Sequence, residues 1–414
     1  MKFLSTVVRK SVLIVLLGFI LVLFSCKTHK KDFSTQNDNI LAPLYWSVYE
    51  YCYTTDGFIP EEEWEANINW IEDNFKEYGY NTICIDGWDK NLGVLGRTDR
   101  PIEHYQTALR WMREACDEHG VFLSLVMPHL KNHGENELEY AGGSMIRINE
   151  DTGNGGWQRF SEMDRGTHHD WWSQYYNAFD GFIYWSDISG SGDRQMILDG
   201  DFIRLNTFEN DDERKTVVSL MLMAGGCVTI ADRYSTIGDS AWIYQNTELL
   251  ALQSDGFTGK PFSNDPLNTE SQKWKGQMSN GDFVVGLFNR EDEAETRSIN
   301  FSTDLGITGN SAVRDLWEHE DLGVMTSYSI NLEPHSCVIL KIVPADDVDS
   351  QTSERSGTNK LVPFPSESRD RKETYPAPWG GIEPPKRFWV QGLPWGMIPF
   401  IMHPTRVHQQ EQLM

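Results

Sequence analysis

Residues 83–105 read ICIDGWDKNLGVLGRTDRPIEHY. Ile83, Cys84 and Ile85 followed by Asp86 form a short apolar run ending in a carboxylate. That is the pattern of a buried parallel strand handing an acid to the C-terminal face of a barrel. One loop later the chain is committed to a helix. Tyr105, Leu109, Met112 and Cys116 recur at helical spacing, which predicts a helix from Pro101 to His119 stopped by Gly120. Between Trp88 and His104 there is no second apolar run, so a strand end leads straight to the following helix.

Outward from this stretch, strand and helix patterns alternate from Leu41 to about Gly259. Leu44 to Tyr51 reads as an aromatic strand. Pro60 and Glu61 to Glu63 suit a helix start, Trp64, Ile68, Ile71 and Phe75 give its apolar face, and Gly79 ends it. VFLSLVM (Val121–Met127) and SMIRIN (Ser144–Asn149) read as buried strands, Gln158 to Tyr176 as a Trp- and His-rich helical stretch, and GFIYW (Gly181–Trp185) as a strand again. A helix over Asp211–Ala224, the strand CVTIAD, and a helix over Ala241–Gln253 complete the series. Buried strands alternating with helices predict a parallel sheet covered by helices. Asp86, Asp151 and Asp232 stand where strands end, which favours a barrel. A doubly wound sheet is the rival, and it lacks a nucleotide-type glycine fingerprint here. Six or seven strands are countable, one or two fewer than a closed (β/α)8 TIM-type barrel needs.

From about Ser271 to Val343 the apolar period changes to two, in DFVVGLFN, TRSINFS, SAVRDLW, YSINLEP and HSCVILKIV. Short alternating strands of this kind predict an antiparallel β-sandwich domain. The expected organisation is a leader over 1–26, a polar tether over 27–40, an incomplete barrel over 41–260 interrupted after 88, a β-domain over 261–344, and a tail over 345–414 in which scattered Pro forbids regular elements. Trp379, Trp389 and Trp395 give that tail an alternative reading as a binding patch.

The leader carries Lys2, Arg9 and Lys10, then an apolar run from Ser11 to Phe24 closed by LFSC (Leu23–Cys26). The run is short for a membrane span and is placed as in a signal peptide. Its ending resembles a bacterial lipobox, with Cys26 as the lipidated residue. The expected product crosses the inner membrane and stays anchored to the envelope, at the outer membrane or cell surface, through that lipid. A formal charge of -25 repels nucleic acid and anionic membranes, so neutral substrates fit better. The other cysteines (Cys52, Cys84, Cys116, Cys227 and Cys337) are widely spaced in mostly apolar context. Buried thiols are the plain reading, a Cys52–Cys84 pair is possible, and no spacing indicates a metal.

The strongest chemical signal is MIRINEDTG, in which Arg147 and Asp151 straddle a strand end. An acid beside a guanidinium suits protonation of a leaving oxygen while a hydroxyl is gripped. A structural Arg–Asp contact is the plain alternative, and Glu150 competes as the acid. ILDGDFIRL offers Asp199 and Asp201, which either orient substrate or cap a turn. His129 and the THHDWW run (Thr167–Trp172) are candidate cleft residues or ordinary surface histidines.

Together these stretches resemble glycoside hydrolase family 27, the α-galactosidase-like enzymes of clan D. YWSVYEY, YGYNTICIDGW, RINED, ILDGDFIRL and LMLMAGGCVTIADRYSTIG resemble its barrel motifs in order; VVGLFNREDE, VRDLWEHEDLG and EPHSCVILKI resemble its β-domain. The resemblance runs from about Leu41 to Val343. It implies that Asp151 is the acid/base, that Trp46, Asp86, Arg147 and Asp199 contact substrate, and that no metal or organic cofactor takes part. Gly200 replaces a family Pro. The family nucleophile, an Asp in a Lys/Arg-x-Asp motif closing the fourth strand, has no counterpart, and the section holding strands three and four is not found. Asp86, Asp89 and Asp99 are poor substitutes by position. The resemblance thus implies a retaining hydrolase of α-galactosides or similar terminal sugars of oligosaccharides or polysaccharides, crippled by loss of its nucleophile. The alternative is a non-catalytic, surface carbohydrate-binding lipoprotein.

Overall fold

The computed structural model describes residues 41–54, 61–85, 102–119, 122–126, 128–152, 155–169, 174–192, 194–344 and 389–390. Six short parallel strands lead the first half: β1 (Leu44–Ser47), β2 (Thr82–Ile85), β3 (Ser124–Leu125), β4 (Met145–Arg147), β5 (Ile197–Asp199) and β6 (Val228–Ile230). They form two parallel ladders, β2-β1-β6 and β3-β4-β5. The ladders meet beside β6. Ile203 exchanges backbone bonds of 2.8 Å with Thr229 and Ala231, and Cys227 N–H donates to the Leu198 carbonyl. No ladder joins β2 to β3 among the described residues. The outer edge of β2 instead pairs in parallel with Trp389–Val390, the β15 strand. That pairing is a departure from an entirely unstructured tail; the rest of the tail and the leader lie outside the described residues.

The α-helices of the barrel region are α1 (Tyr49–Thr54), α2 (Glu61–Asn74), α3 (Ile102–His119), α4 (Lys131–Tyr140), α5 (Ala178–Tyr184), α6 (Asp211–Met223) and α7 (Thr247–Asp255). Three expectations are corrected here. The aromatic strand ends at Ser47, and Tyr49 already starts α1. GFIYW is helical: the Asn177 carboxamide caps α5 by accepting the Asp180 N–H at 2.8 Å, and Phe179, Phe182 and Ile183 are buried. A helix covered on all sides reads as a continuous apolar run, which mimics a buried strand. Among the described residues of the Gln158–Tyr176 stretch, the helix covers Gln158–Glu162, because Asp164 (φ 44°) and Gly166 (φ 74°) adopt left-handed conformations that a helix cannot continue.

The second half is an antiparallel sandwich. One sheet orders as β12-β11-β14-β9-β8-β7 and a second pairs β10 with β13. Their ranges are β7 Lys260–Pro261, β8 Lys273–Gln277, β9 Phe283–Phe288, β10 Glu295–Asn300, β11 Ser311–Asp315, β12 Glu320–Met325, β13 Ser327–Leu332 and β14 Cys337–Pro344. Successive side chains of a strand face opposite ways. Val285, Leu287, Val338, Leu340 and Ile342 enter the core between the sheets. Val284, Phe288 and Ile339 enter the barrel's own core, with Trp274, Leu316 and Trp317. The larger sheet is thus covered on both faces, which ties sandwich and barrel into one hydrophobic body.

Candidate active site

The parallel register of β4 and β5 sets Arg147 opposite Asp199 at the strand ends. Two residues on, Asp201 takes up φ 74°, and its N–H donates to Asp199 Oδ1 at 2.9 Å. This tight turn requires a small residue at 200: a Cβ there would lie 2.4 Å from the Phe182 ring. The turn directs the Asp201 carboxylate back toward β4. Its Oδ2 accepts the Thr152 N–H at 2.7 Å and the Thr152 hydroxyl at 3.1 Å.

Arg147 joins the two loops. Its Nη2 lies 2.7 Å from Asp151 Oδ1 and 2.7 Å from Asp201 Oδ2, so those two oxygens are no more than about 5.4 Å apart. Arg147 and Asp201 are buried, with 7% and 4% of their side chains exposed, whereas Asp151 is 58% exposed. Burial on its own would lower the Arg147 pKa, but Asp201, Asp151 and Asp199 reverse this and hold it above its usual value. Burial raises Asp201 and Asp199, with Arg147 pulling each back. The cluster therefore presents a fixed cation at its base and one accessible carboxyl at its rim.

Glu150 faces another set of partners: His169 Nε2 at 3.0 Å and Arg159 Nη1 at 3.8 Å. Partial burial alone would raise its pKa; His169, Arg159 and Arg147 outweigh that and lower it. A carboxylate held ionised in this way is a poor proton donor, so Glu150 is not arranged as an acid.

Trp46 does not line a cleft. It is fully buried, and its indole N–H donates to the Asp232 carbonyl at 2.9 Å, so its place in the structure is the core, not the substrate surface. A large aromatic in a barrel strand points either to the mouth or to the packing layer, and sequence alone leaves both open. His129 is also buried, stacked on Tyr105 at 3.7 Å. Asp86, Asp89, Asp99, Cys26 and the Asp170–Trp172 part of the THHDWW run lie outside the described residues. No group of three or more metal-type ligands occurs among the described residues.

A neighbouring network was not legible as a unit. Asp232 accepts the Leu205 N–H at 3.1 Å, the Asn206 N–H at 3.3 Å and the Tyr244 hydroxyl at 2.9 Å. Burial lifts its pKa to about 6, against these hydrogen bonds. Glu50 pairs with Arg204 and accepts from Asn206 Nδ2 at 2.9 Å. The available signal was a lone charged residue, Glu50, within the aromatic YWSVYEY run.

Residues 268–342 match a family model described as the alpha galactosidase C-terminal beta sandwich domain. The isomalto-dextranase of Arthrobacter globiformis is 32% identical, over 73% of this chain and 67% of that protein. Alpha-galactosidase 3 of Arabidopsis thaliana is 31% identical over 107 residues, 25% of this chain and 24% of that protein. The solved structure of A. globiformis T6 isomalto-dextranase complexed with panose matches with a TM-score of 0.62 at 30% identity, over 73% of this chain and 72% of that one.

Proposed function

The chain belongs to glycoside hydrolase family 27, and from that premise we propose that it grips the terminal sugar of an α-linked oligosaccharide or polysaccharide while retaining only half of the hydrolytic machinery. The observation that carries this reading is the shared Arg147 nitrogen, which holds an exposed Asp151 against a buried Asp201. Asp151 in its acid form donates a proton to the glycosidic oxygen as the bond to the anomeric carbon breaks, and Arg147 orients the sugar through its hydroxyls. Retention requires a second carboxylate about 5–5.5 Å away, attacking the anomeric carbon from the opposite face. Asp201 stands at a comparable distance, but it is buried beneath Arg147 and engaged by Thr152, so it has no path to that carbon.

The loss of the section carrying the nucleophile is supported by the length of the match. The alignment to the Arthrobacter protein runs over 436 positions, more than the 414 residues of this whole chain. Positions of the relative without a counterpart here fit an interruption after residue 88. On substrate, the relative that matches most of the chain is an isomalto-dextranase and the shorter match is an α-galactosidase. Dextran-type glucans therefore stand beside α-galactosides as ligands. Cys26 as a lipid attachment point, and with it an envelope location, rests on the LFSC ending of the leader; loss of fatty-acid labelling in Cys26→Ser is the expected result, and undiminished labelling would exclude it.

The test uses the purified full chain with aryl α-galactoside and with isomalto-oligosaccharides, measured for both heat of binding and release of product. Binding that Arg147→Ala abolishes, with turnover orders of magnitude below that of an intact retaining pair, is the expected result. Turnover at ordinary glycosidase rates would overturn the crippled-site reading, and binding unaffected by Arg147→Ala would overturn the assignment of the site.

A further inference from the structure

β2 has β1 on one side, and no ladder joins its other side to β3 among the described residues. The sequence offers no strand for that place, since no apolar run lies between Trp88 and His104. An open sheet edge presents unpaired N–H and C=O groups to any extended chain that reaches it. Here the edge is taken by Trp389–Val390, with Trp389 opposite Cys84 and Val390 opposite Ile85.

The pairing has the direction, register and composition of a barrel strand. It is parallel, as are β1 with β2 and β1 with β6, so the tail segment runs the same way as its new neighbours. Its register continues that of the sheet. Ser47 stands opposite Cys84 and Cys84 opposite Trp389, which gives one row across three strands. Phe388, Trp389 and Val390 are residue types that favour strands, and Pro384, Pro385, Gly392 and Pro394 bound them on both sides, which holds the strand short. A parallel return needs a long crossover. Residues 345–388 supply it: extended at about 3.3 Å per residue, they reach well beyond the roughly 30 Å diameter of a small domain.

We propose that Trp389–Val390 is a substitute strand, by which the chain's own tail completes the β2 edge where the next barrel strand would stand. The β2 edge is then a strand-acceptor site, and the tail segment occupies it by strand addition within one chain. Main-chain hydrogen bonds supply the affinity of such an addition, and alternate side chains supply its selectivity. The tail thereby becomes a working part of the barrel and shields an edge that would otherwise pair with other chains. This inference concerns the scaffold and stands whether or not the Arg147 site turns substrate over.

Hydrogen exchange of the full chain, read by mass spectrometry with residue-level fragmentation, tests this. Alternate N–H groups of β2 point toward β1 and away from it. In the unaltered chain the outward amides of Thr82–Ile85 should exchange at least about tenfold more slowly than those of an unpaired edge. Trp389→Pro/Val390→Pro removes both N–H donors and should abolish that protection. A synthetic peptide of residues 385–393, added at about 1 mM to replace the lost tethering, should restore it, whether the variant opens only at β2 or across the barrel. The same peptide with glycine at 388–390 should not. Fast exchange of the outward amides in the unaltered chain overturns the proposal. So does protection that survives the double proline variant, a peptide that restores nothing, or equal restoration by the glycine peptide.

Discussion

Arg147 Nη2 lies 2.7 Å from Asp201 Oδ2, and both side chains are buried. Removing the cation from such a pair leaves a buried carboxylate without compensation, which typically costs about 3–5 kcal/mol. Arg147→Ala is therefore expected to lose about that much stability at pH 8 in urea denaturation. Because burial raises the pKa of Asp201 and Asp199, both take up protons more readily than exposed carboxyls, and the loss should shrink toward pH 5. Asp151→Ala removes an exposed partner and should cost at most about 1 kcal/mol. Equal losses in the two variants would show that Arg147 is not held as described.

Asp232 gives a pH signature. Its folded pKa is about 6 against 3.8 for an unperturbed carboxyl, so between these values the native state binds a proton that the unfolded state has released. Stability from this group is fully present below about pH 4 and is lost as pH rises through about 6, on the order of 2–3 kcal/mol in all. Asp232→Asn should flatten that part of the stability-against-pH curve, whatever it does to the absolute value. An unchanged slope between pH 4.5 and 7 would rule out the assignment.

The joint between barrel and sandwich has its own test. Arg290 Nη1 donates to Asp180 Oδ1 at 2.6 Å, with both side chains essentially inaccessible, and Nε donates to the Ser161 hydroxyl at 3.1 Å. The guanidinium also lies 4.4 Å over the Phe179 ring. Arg290→Ala is expected to cost about 3–5 kcal/mol and to separate the calorimetric melting of the two halves into distinct transitions. A single transition at an unchanged temperature would contradict the joint.

Much of this architecture was legible in the sequence, and the exceptions share a cause. The ends of β4, β5 and β6 were visible because apolar runs stop at Arg147, Asp199 and Ala231–Asp232. The helices over Glu61–Asn74 and Ile102–His119 were visible because Pro stands at their starts and Gly after their ends. GFIYW was misread because a helix buried on every side loses its period, and Trp46 because burial depth is set by neighbours distant in sequence. The pairing of Arg147 with Asp201 came from a left-handed turn at Asp201 that no local pattern announces.

A sugar grip without a complete pair of catalytic carboxylates is tested most directly by placing binding and turnover in one experiment. The purified chain is titrated with an isomalto-oligosaccharide and with an α-galactoside, heat and released sugar being followed together. Saturable binding that disappears in Arg147→Ala, with product formation orders of magnitude below that of an intact retaining glycosidase and further reduced by Asp151→Ala, is the predicted result. Rapid hydrolysis of either substrate would contradict it and would require a nucleophile elsewhere in the chain.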